Sequence, residues 1–399
     1  MCCRIFPFAD RARTPPRVKA ILRFHVASWS ARVFKPRVLL AASGGVLPAL
    51  LLVAAGMAAA QQGVRNPSID RPVTNELEAP AGTTIPTWSG SFTGGTTYTY
   101  AMIGTDPSKG SATTTVSAIL IPVKLIFSDG TVLDPSAPVY GQTKSSVQLV
   151  QASPMFHNVA YKPGGTSVGT TQYIDAFQRA NFWNYVSKSA PKYHVIYSLT
   201  TLAQQTLTVP GYFGYTQSGP GNRVGYVNAS WLSGQISVMM YRLKIQTNTV
   251  PLFLAYDTRN YDGTLIFGGF HNAFGSPSQV YAEASFYDNA LFPTTGDIMT
   301  LSHEMGELTD NPFYSNPVPA WSNPQTPGQC SNLLEVGDPV NDVGIAPVTL
   351  NGFTYHLEDL TFLPWFALES PSTSVNGWYT FGDYYTSPAT CTAAAGRVQ

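Results

Sequence analysis

Thr113 to Phe127 read TTTVSAILIPVKLIF, a run of β-branched and apolar residues broken by one charge, Lys124. Thr, Val and Ile are stiff at χ1 and pack better on a pleated surface than in a helix, so this stretch predicts a long strand. Asp106-Pro107 and Asp129-Gly130 punctuate it as turns. Working outward, Thr97–Ile103 (TYTYAMI), Tyr193–Thr200, Ser237–Thr247, Val250–Tyr256 and Thr264–Phe270 also read as strands. Thr171–Ser187 (TQYIDAFQRANFWNYVS) reads as a helix, and a second helix follows Gly296. The rest, rich in Pro, Gly and Asn, predicts loops around short apolar pieces such as Leu360–Ala367. Without an internal repeat, the pattern predicts one α+β domain over 89–399. Its N-terminal half is β-rich, and its site lies within 264–399.

Ahead of that domain, Val38–Ala60 carries no charge and ends in Ala58-Ala59-Ala60. Nine basic residues and one acid precede it. A basic stretch, an apolar run and small residues at a cleavage point predict a secretory signal over 1–60, with an uncleaved membrane anchor as the competing reading. Residues 61–88, polar and proline-containing, read as a linker. Without 1–60 the chain keeps 14 basic and 22 acidic residues, a formal charge of −8 that argues against nucleic acid as a partner. Two cysteines then remain, Cys330 and Cys391. In an oxidising compartment they predict one disulfide closing a large C-terminal loop; two separate buried thiols are the alternative.

Asp297–Asn311 reads DIMTLSHEMGELTDN. Ile298, Leu301, Met305 and Leu308 recur at helical spacing and form one apolar face, with Thr295 or Asp297 able to cap the start and Asn311-Pro312 ending it. At about 100° per residue, His303, Glu307 and Asp310 fall on one stripe opposite that face. An imidazole and a carboxylate four residues apart can chelate one ion, and Glu304 sits where a zinc hydrolase keeps the general base that activates water. A zinc protease has a second His where this chain has Glu307, so zinc competes with calcium and manganese. The plainer account is a solvated polar face on an amphipathic helix. Charge weighs against it: between Arg259 and Arg397 there are fourteen acids and no Lys or Arg, so Glu304, Glu307 and Asp310 have no local neutraliser. A bound cation would supply one.

Further ligands are expected from Leu333-Leu334-Glu335-Val336-Gly337-Asp338, with Glu335 and Asp338 as the best placed; exposed turn carboxylates are the alternative. His271, in Gly268-Gly269-Phe270-His271-Asn272, is the next candidate, although a turn histidine is the simpler reading. His157, His194 and His356 read as structural.

The order His303-Glu304-Met305-Gly306-Glu307, Asn311-Pro312, Ala320-Trp321, Leu334-Glu335-Val336-Gly337-Asp338 resembles the secreted EXORDIUM (phosphate-induced) proteins of plants and a set of uncharacterised secreted bacterial proteins. The resemblance spans about residues 264–340. It implies a secreted protein with a zincin-like site in which His303, Glu307 and Glu335 or Asp338 hold a metal.

Two functions of different kinds follow. One is a metal-dependent hydrolase acting on an extracellular peptide, with Glu304 as general base and Tyr384 or Tyr385 as oxyanion donor. The other is a non-catalytic extracellular protein that binds a wall polysaccharide or peptide and holds a structural cation. A glycosidase using two of the carboxylates, with no metal, is a third.

Overall fold

The computed structural model describes residues 84–391, apart from 264, 276 and 277. The expected signal or anchor at 1–60 and most of the linker at 61–88 lie outside the described residues. The end of that linker belongs to the fold: Ile85 is buried, and the first strand is Thr87–Thr93, paired with Thr97–Ile103.

The long strand Thr113–Phe127 organises the largest sheet. Its burial alternates over the first half and is nearly continuous over the second, as expected of a strand covered on both faces. Along one edge it pairs in parallel with His194–Thr201 and then with Gln205–Val209. On the other it pairs with Thr249–Tyr256, which pairs in parallel with Gln279–Phe286. Gly269–Phe274 closes this end of the sheet, antiparallel to Gln279–Phe286. One face packs on the helices Tyr173–Asn181 and Met299–Asp310 through Ile174, Phe177, Met305 and Leu308. The other packs on Ala229–Leu243 through Leu232, Ile236 and Met239. The fold is α+β and mostly strand, as the residue pattern predicts.

Three segments depart from that pattern. Ser237–Thr247, expected as a strand, lies mainly in the helix Ala229–Leu243. Leu232, Ile236, Met239, Met240 and Leu243 recur three and four apart, and the Asn228 side chain accepts from Trp231 N to cap the start. The strand-favouring Val238 and Tyr241 point to solvent. Thr171–Ser187 breaks at Phe182 into Tyr173–Asn181 and Trp183–Val186.

The run expected as one strand at Thr264–Phe270 is divided at Gly268. Ile266–Phe267 joins a four-stranded sheet with Thr258–Tyr261, Arg223–Asn228 and Gly214–Ser218, while Gly269–Phe274 joins the large sheet. The two glycines permit the close approach of strand to helix. A Cβ at Gly268 would lie 2.7 Å from Thr300 Oγ1, and one at Gly269 would lie 2.5 Å from Glu283 O and 3.0 Å from Glu304 Cγ.

Cys330 and Cys391 form the expected disulfide, with Cα atoms 5.9 Å apart. Among the described residues no helix is long and apolar enough to cross a membrane.

Candidate metal centre

The helix Met299–Asp310 has no solvated polar face. Every residue in it except Thr300 is buried, and His303, Glu304 and Glu307 are 8%, 4% and 4% exposed. Ile298, Leu301, Met305 and Leu308 face the core, as their spacing predicts. The opposite side packs against the strand Gly269–Phe274 and the loops carrying Glu335, Asp338 and Glu358, so the helix carboxylates are buried although they line a cleft.

Glu307 stands between two imidazoles. Its Oε1 is 3.2 Å from His303 Nε2, and its Oε2 is 3.5 Å from His271 Nδ1. The backbone N–H groups of Gly337 and Asp338 each donate to Oε1 at 3.1 Å, which fixes the carboxylate in place. His303 is held from its other nitrogen, with Nδ1 3.1 Å from Glu358 Oε1, while Asp338 Oδ1 lies 3.8 Å from Nε2. A carboxylate behind the far nitrogen of an imidazole orients the ring and raises the basicity of the facing nitrogen, the usual support of a metal-binding histidine. On the other side His271 Nδ1 is 3.6 Å from Glu304 Oε2 and its Nε2 is 3.6 Å from Glu335 Oε2. Asn311 Nδ2 in turn donates to Glu335 Oε1 at 2.5 Å.

These side chains make two overlapping ligand sets. His303, Glu307 and Asp338 form one; His271, Glu304 and Glu307 form the other. In each, one potential ligand atom per residue lies within 4.8 Å of the rest. The nitrogen and oxygen donors suit a transition ion such as zinc or manganese better than calcium, which takes oxygen almost alone.

Electrostatics set these groups apart from ordinary surface charges. Burial raises Glu304, and it raises Glu358 to about 7 against the opposing pull of His303. Burial would raise Glu307 too, but His303 and then His271 outweigh it and hold it ionised. Burial would lower both histidines. Glu335 and the Glu304 and Glu307 contacts outweigh it at His271, as Glu307 and Glu358 do at His303, and both stand well above the usual imidazole range. Glu283, buried behind Glu304, is raised to about 8 by burial.

The structure therefore brings His303, Glu304, Glu307, Glu335 and Asp338 together. It does not bring in Asp310. That residue shares their helical stripe, but at 1.5 Å per residue it sits about 10 Å along the axis from His303, against the helix Tyr173–Asn181. Its Oδ1 accepts from Gln178 Nε2, and its Oδ2 is buried without a hydrogen-bond partner. Tyr384 and Tyr385 are not among the cleft residues: Tyr384 is 55% exposed, and the Tyr385 hydroxyl donates to Pro339 O at 2.6 Å.

Tyr314, by contrast, is a cleft residue. It lines the cleft with its ring 5.7 Å from the His271 ring, edge to face.

Two site residues are poorly visible in the sequence. His271, which reads as a turn histidine, is strand-borne and 3% exposed; the Gly268-Gly269 pair before it was the available signal of close packing. Glu358 gives only the weak signal of lying two residues after His356, and its role becomes plain from its contact with His303. His194 and His356 bind Asp175 and Asp297 at 2.8 and 2.6 Å, away from the cleft, and His157 lines a separate cavity.

The cleft over these residues has a volume of about 290 Å³. No protein-family model, curated protein or solved structure matches the chain.

Proposed function

We propose that this chain is an exported metal-dependent hydrolase of the peptidase type, with Glu304 as general base. The observation that carries the reading is the placement of Glu307, whose two oxygens face two buried imidazoles beside four further carboxylates. Glu304, Glu307, Glu335, Asp338 and Glu358 outnumber His271 and His303, so the cluster is anionic even with both rings charged. Burying such an excess is costly, and a divalent cation offsets it. The buried His271 Nε2 makes no hydrogen bond, and its charged neighbour is Glu335 Oε2 at 3.6 Å, a geometry that leaves the nitrogen able to accept a ligand.

A cation held by His303, Glu307 and Asp338, with His271 and Glu335 beside it, would supply Lewis acidity at the floor of the cleft. Zinc is the first choice and manganese the second. Glu304 accepts the proton of the attacking water and passes it to the leaving group; its burial raises its basicity, the direction that task requires. Glu358 orients His303, and the backbone N–H groups of Gly337 and Asp338 keep Glu307 in one rotamer. Tyr314 is the donor for a developing oxyanion. Export is supported by the signal-like N-terminal sequence and by the disulfide.

The test is the metal content of residues 61–399 by elemental mass spectrometry, beside a His303→Ala/Glu307→Ala double variant. Stoichiometric zinc or manganese, lost from the variant, is expected. Glu304→Gln should then keep the metal and the fold while abolishing hydrolysis of a peptide library. If it changes stability alone, the chain is the non-catalytic binder with a structural cation. No metal in either chain, and no effect of chelator on melting, overturns both.

A further inference from the structure

Arg259 is the one Lys or Arg among the described residues lining the cleft, against seven carboxylates. It lies on the strand Thr258–Tyr261, where Thr258 and Asn260 turn inward and Arg259 and Tyr261 turn outward. Among the described residues no carboxylate pairs with its guanidinium; Nε is buried without a hydrogen-bond partner, and the group lies 5.6 Å over the Phe292 ring. The Phe292 ring steadies the charge from one side, and the hydrogen-bonding fork of the guanidinium stays open to a ligand in a region otherwise crowded with acids.

Its surroundings narrow the ligand. Leu265, Ile266, Phe267, Tyr287 and Phe292 line the same cleft, and Leu265 and Ile266 are large apolar side chains left 39% and 49% exposed. A planar guanidinium pairs with a carboxylate through two parallel hydrogen bonds. Away from the two histidines and the cation proposed beside them, the charged groups of the cleft are carboxylates, so Arg259 is the position there that favours a substrate carboxylate. The ligand thus combines one carboxylate with an adjacent bulky apolar group.

We infer that Arg259 receives the C-terminal carboxylate of a peptide whose last side chain is large and apolar, which directs the preceding peptide bond toward Glu304. The inference rests on the hydrolase reading for its substrate but not for its anion site. A uronate of an acidic polysaccharide has the charge without the apolar group, and fits the lining less well.

The experiment is calorimetric titration of the full chain with three non-hydrolysable probes: 3-phenylpropanoate, its amide, and galacturonate. The acid should bind at least about tenfold more tightly than the amide and more tightly than galacturonate. Arg259→Gln should abolish the preference with metal content unchanged, and Arg259→Lys should restore part of it. Equal binding of acid and amide by the wild type overturns the inference. So does a preference that persists in Arg259→Gln, since the carboxylate would then sit on the metal. Tighter galacturonate binding overturns it in favour of an acidic glycan. If the chain holds no metal but the acid preference depends on Arg259, the hydrolase reading falls and the anion site stands. If the metal is present without that preference, the anion site alone falls.

Discussion

At the residue scale, Gly337 sets the place of His303. Its backbone is ordinary, with φ −86° and ψ −39°, so conformational freedom is not the reason for a glycine there. Space is: a Cβ would lie 2.4 Å from His303 Nδ1, inside the gap that the ring shares with Glu358. Gly337→Ala must displace the ring or the loop, and the loop also carries the two N–H groups that hold Glu307. Metal affinity should fall by about ten- to a hundredfold, as when a supporting contact of a ligand is lost, with far-UV dichroism unchanged. Competition with a chromogenic chelator measures this, and unaltered affinity would remove His303 from the ligand set. Asp310 allows a prediction of the opposite sign. Burial raises its carboxyl to about 7, while an aspartate in the unfolded chain titrates near its usual 3.8. Between those values the folded state holds a proton that the unfolded state has lost, so the contribution of this group to stability is full at low pH, falls as pH rises from 3.8 and is lost above about 7. Asp310→Asn removes the titrating group and keeps its shape, and its amide can donate to Gln178 Oε1, which is buried without a partner. At pH 8 the variant should be more stable than wild type by about 2–4 kcal/mol, with the gap closing toward pH 4 in denaturant titrations. A constant difference across that range would mean that Asp310 is not the group responsible.

At the element scale, the site helix is legible in the sequence and its coverage is not. The four apolar residues at helical spacing and the His-Glu-x-x-Glu order specify Met299–Asp310 to within two residues at its start and one at its end. Nothing local says that Gly269–Phe274 will lie across its polar side, because that contact depends on a sheet order joining segments far apart in the chain. His271 is hidden for the same reason. The Ala229–Leu243 helix was obscured differently: Val238 and Tyr241 favour strands, but they are solvent-facing, and the helical spacing of the buried residues overrides them. Neither Thr295 nor Asp297 caps the site helix, whose cap residue Ile298 has no side-chain hydrogen bond, but Asp297 ties its start to another segment. Its Oδ1 accepts from the N–H groups of Ile298 and His356 at 2.6 and 2.9 Å, and its Oδ2 is 2.6 Å from His356 Nδ1. That single buried carboxylate links the helix to the segment leading to Glu358, two residues after His356. Asp297→Ala leaves the donors unpaired and should cost about 3 kcal/mol, visible as a lower denaturant midpoint. Metal affinity should fall with it, because both His303 and Glu358 are placed through this joint. A large stability loss with unchanged affinity would show the two to be independent.

At the scale of the whole molecule, the disulfide ties stability to the site. Cys330 and Cys391 are 61 residues apart, and the loop they close contains Glu335, Asp338 and Glu358. Cross-linking a loop of that length removes unfolded-state entropy equivalent to about 4 kcal/mol in the chain-entropy model. Cys330 also begins the strand Cys330–Leu333, paired with Pro317–Ser322, and Glu335 and Asp338 follow within a few residues of its end. Loosening the bridge therefore frees the backbone that carries those two carboxylates, while His271, His303 and Glu307 stay on the large sheet and its helix. Cys391→Ser should lower the melting temperature by roughly 5–10 °C. Metal should restore less of that loss than it adds to the intact chain, because a looser ligand set binds more weakly. The measurement is a pair of thermal melts for each chain, with saturating metal and with chelator. Equal metal stabilisation in both would place the bridge outside the energetics of the site. A smaller stabilisation in the variant would mean that the C-terminal loop is held partly by the ion and partly by the disulfide.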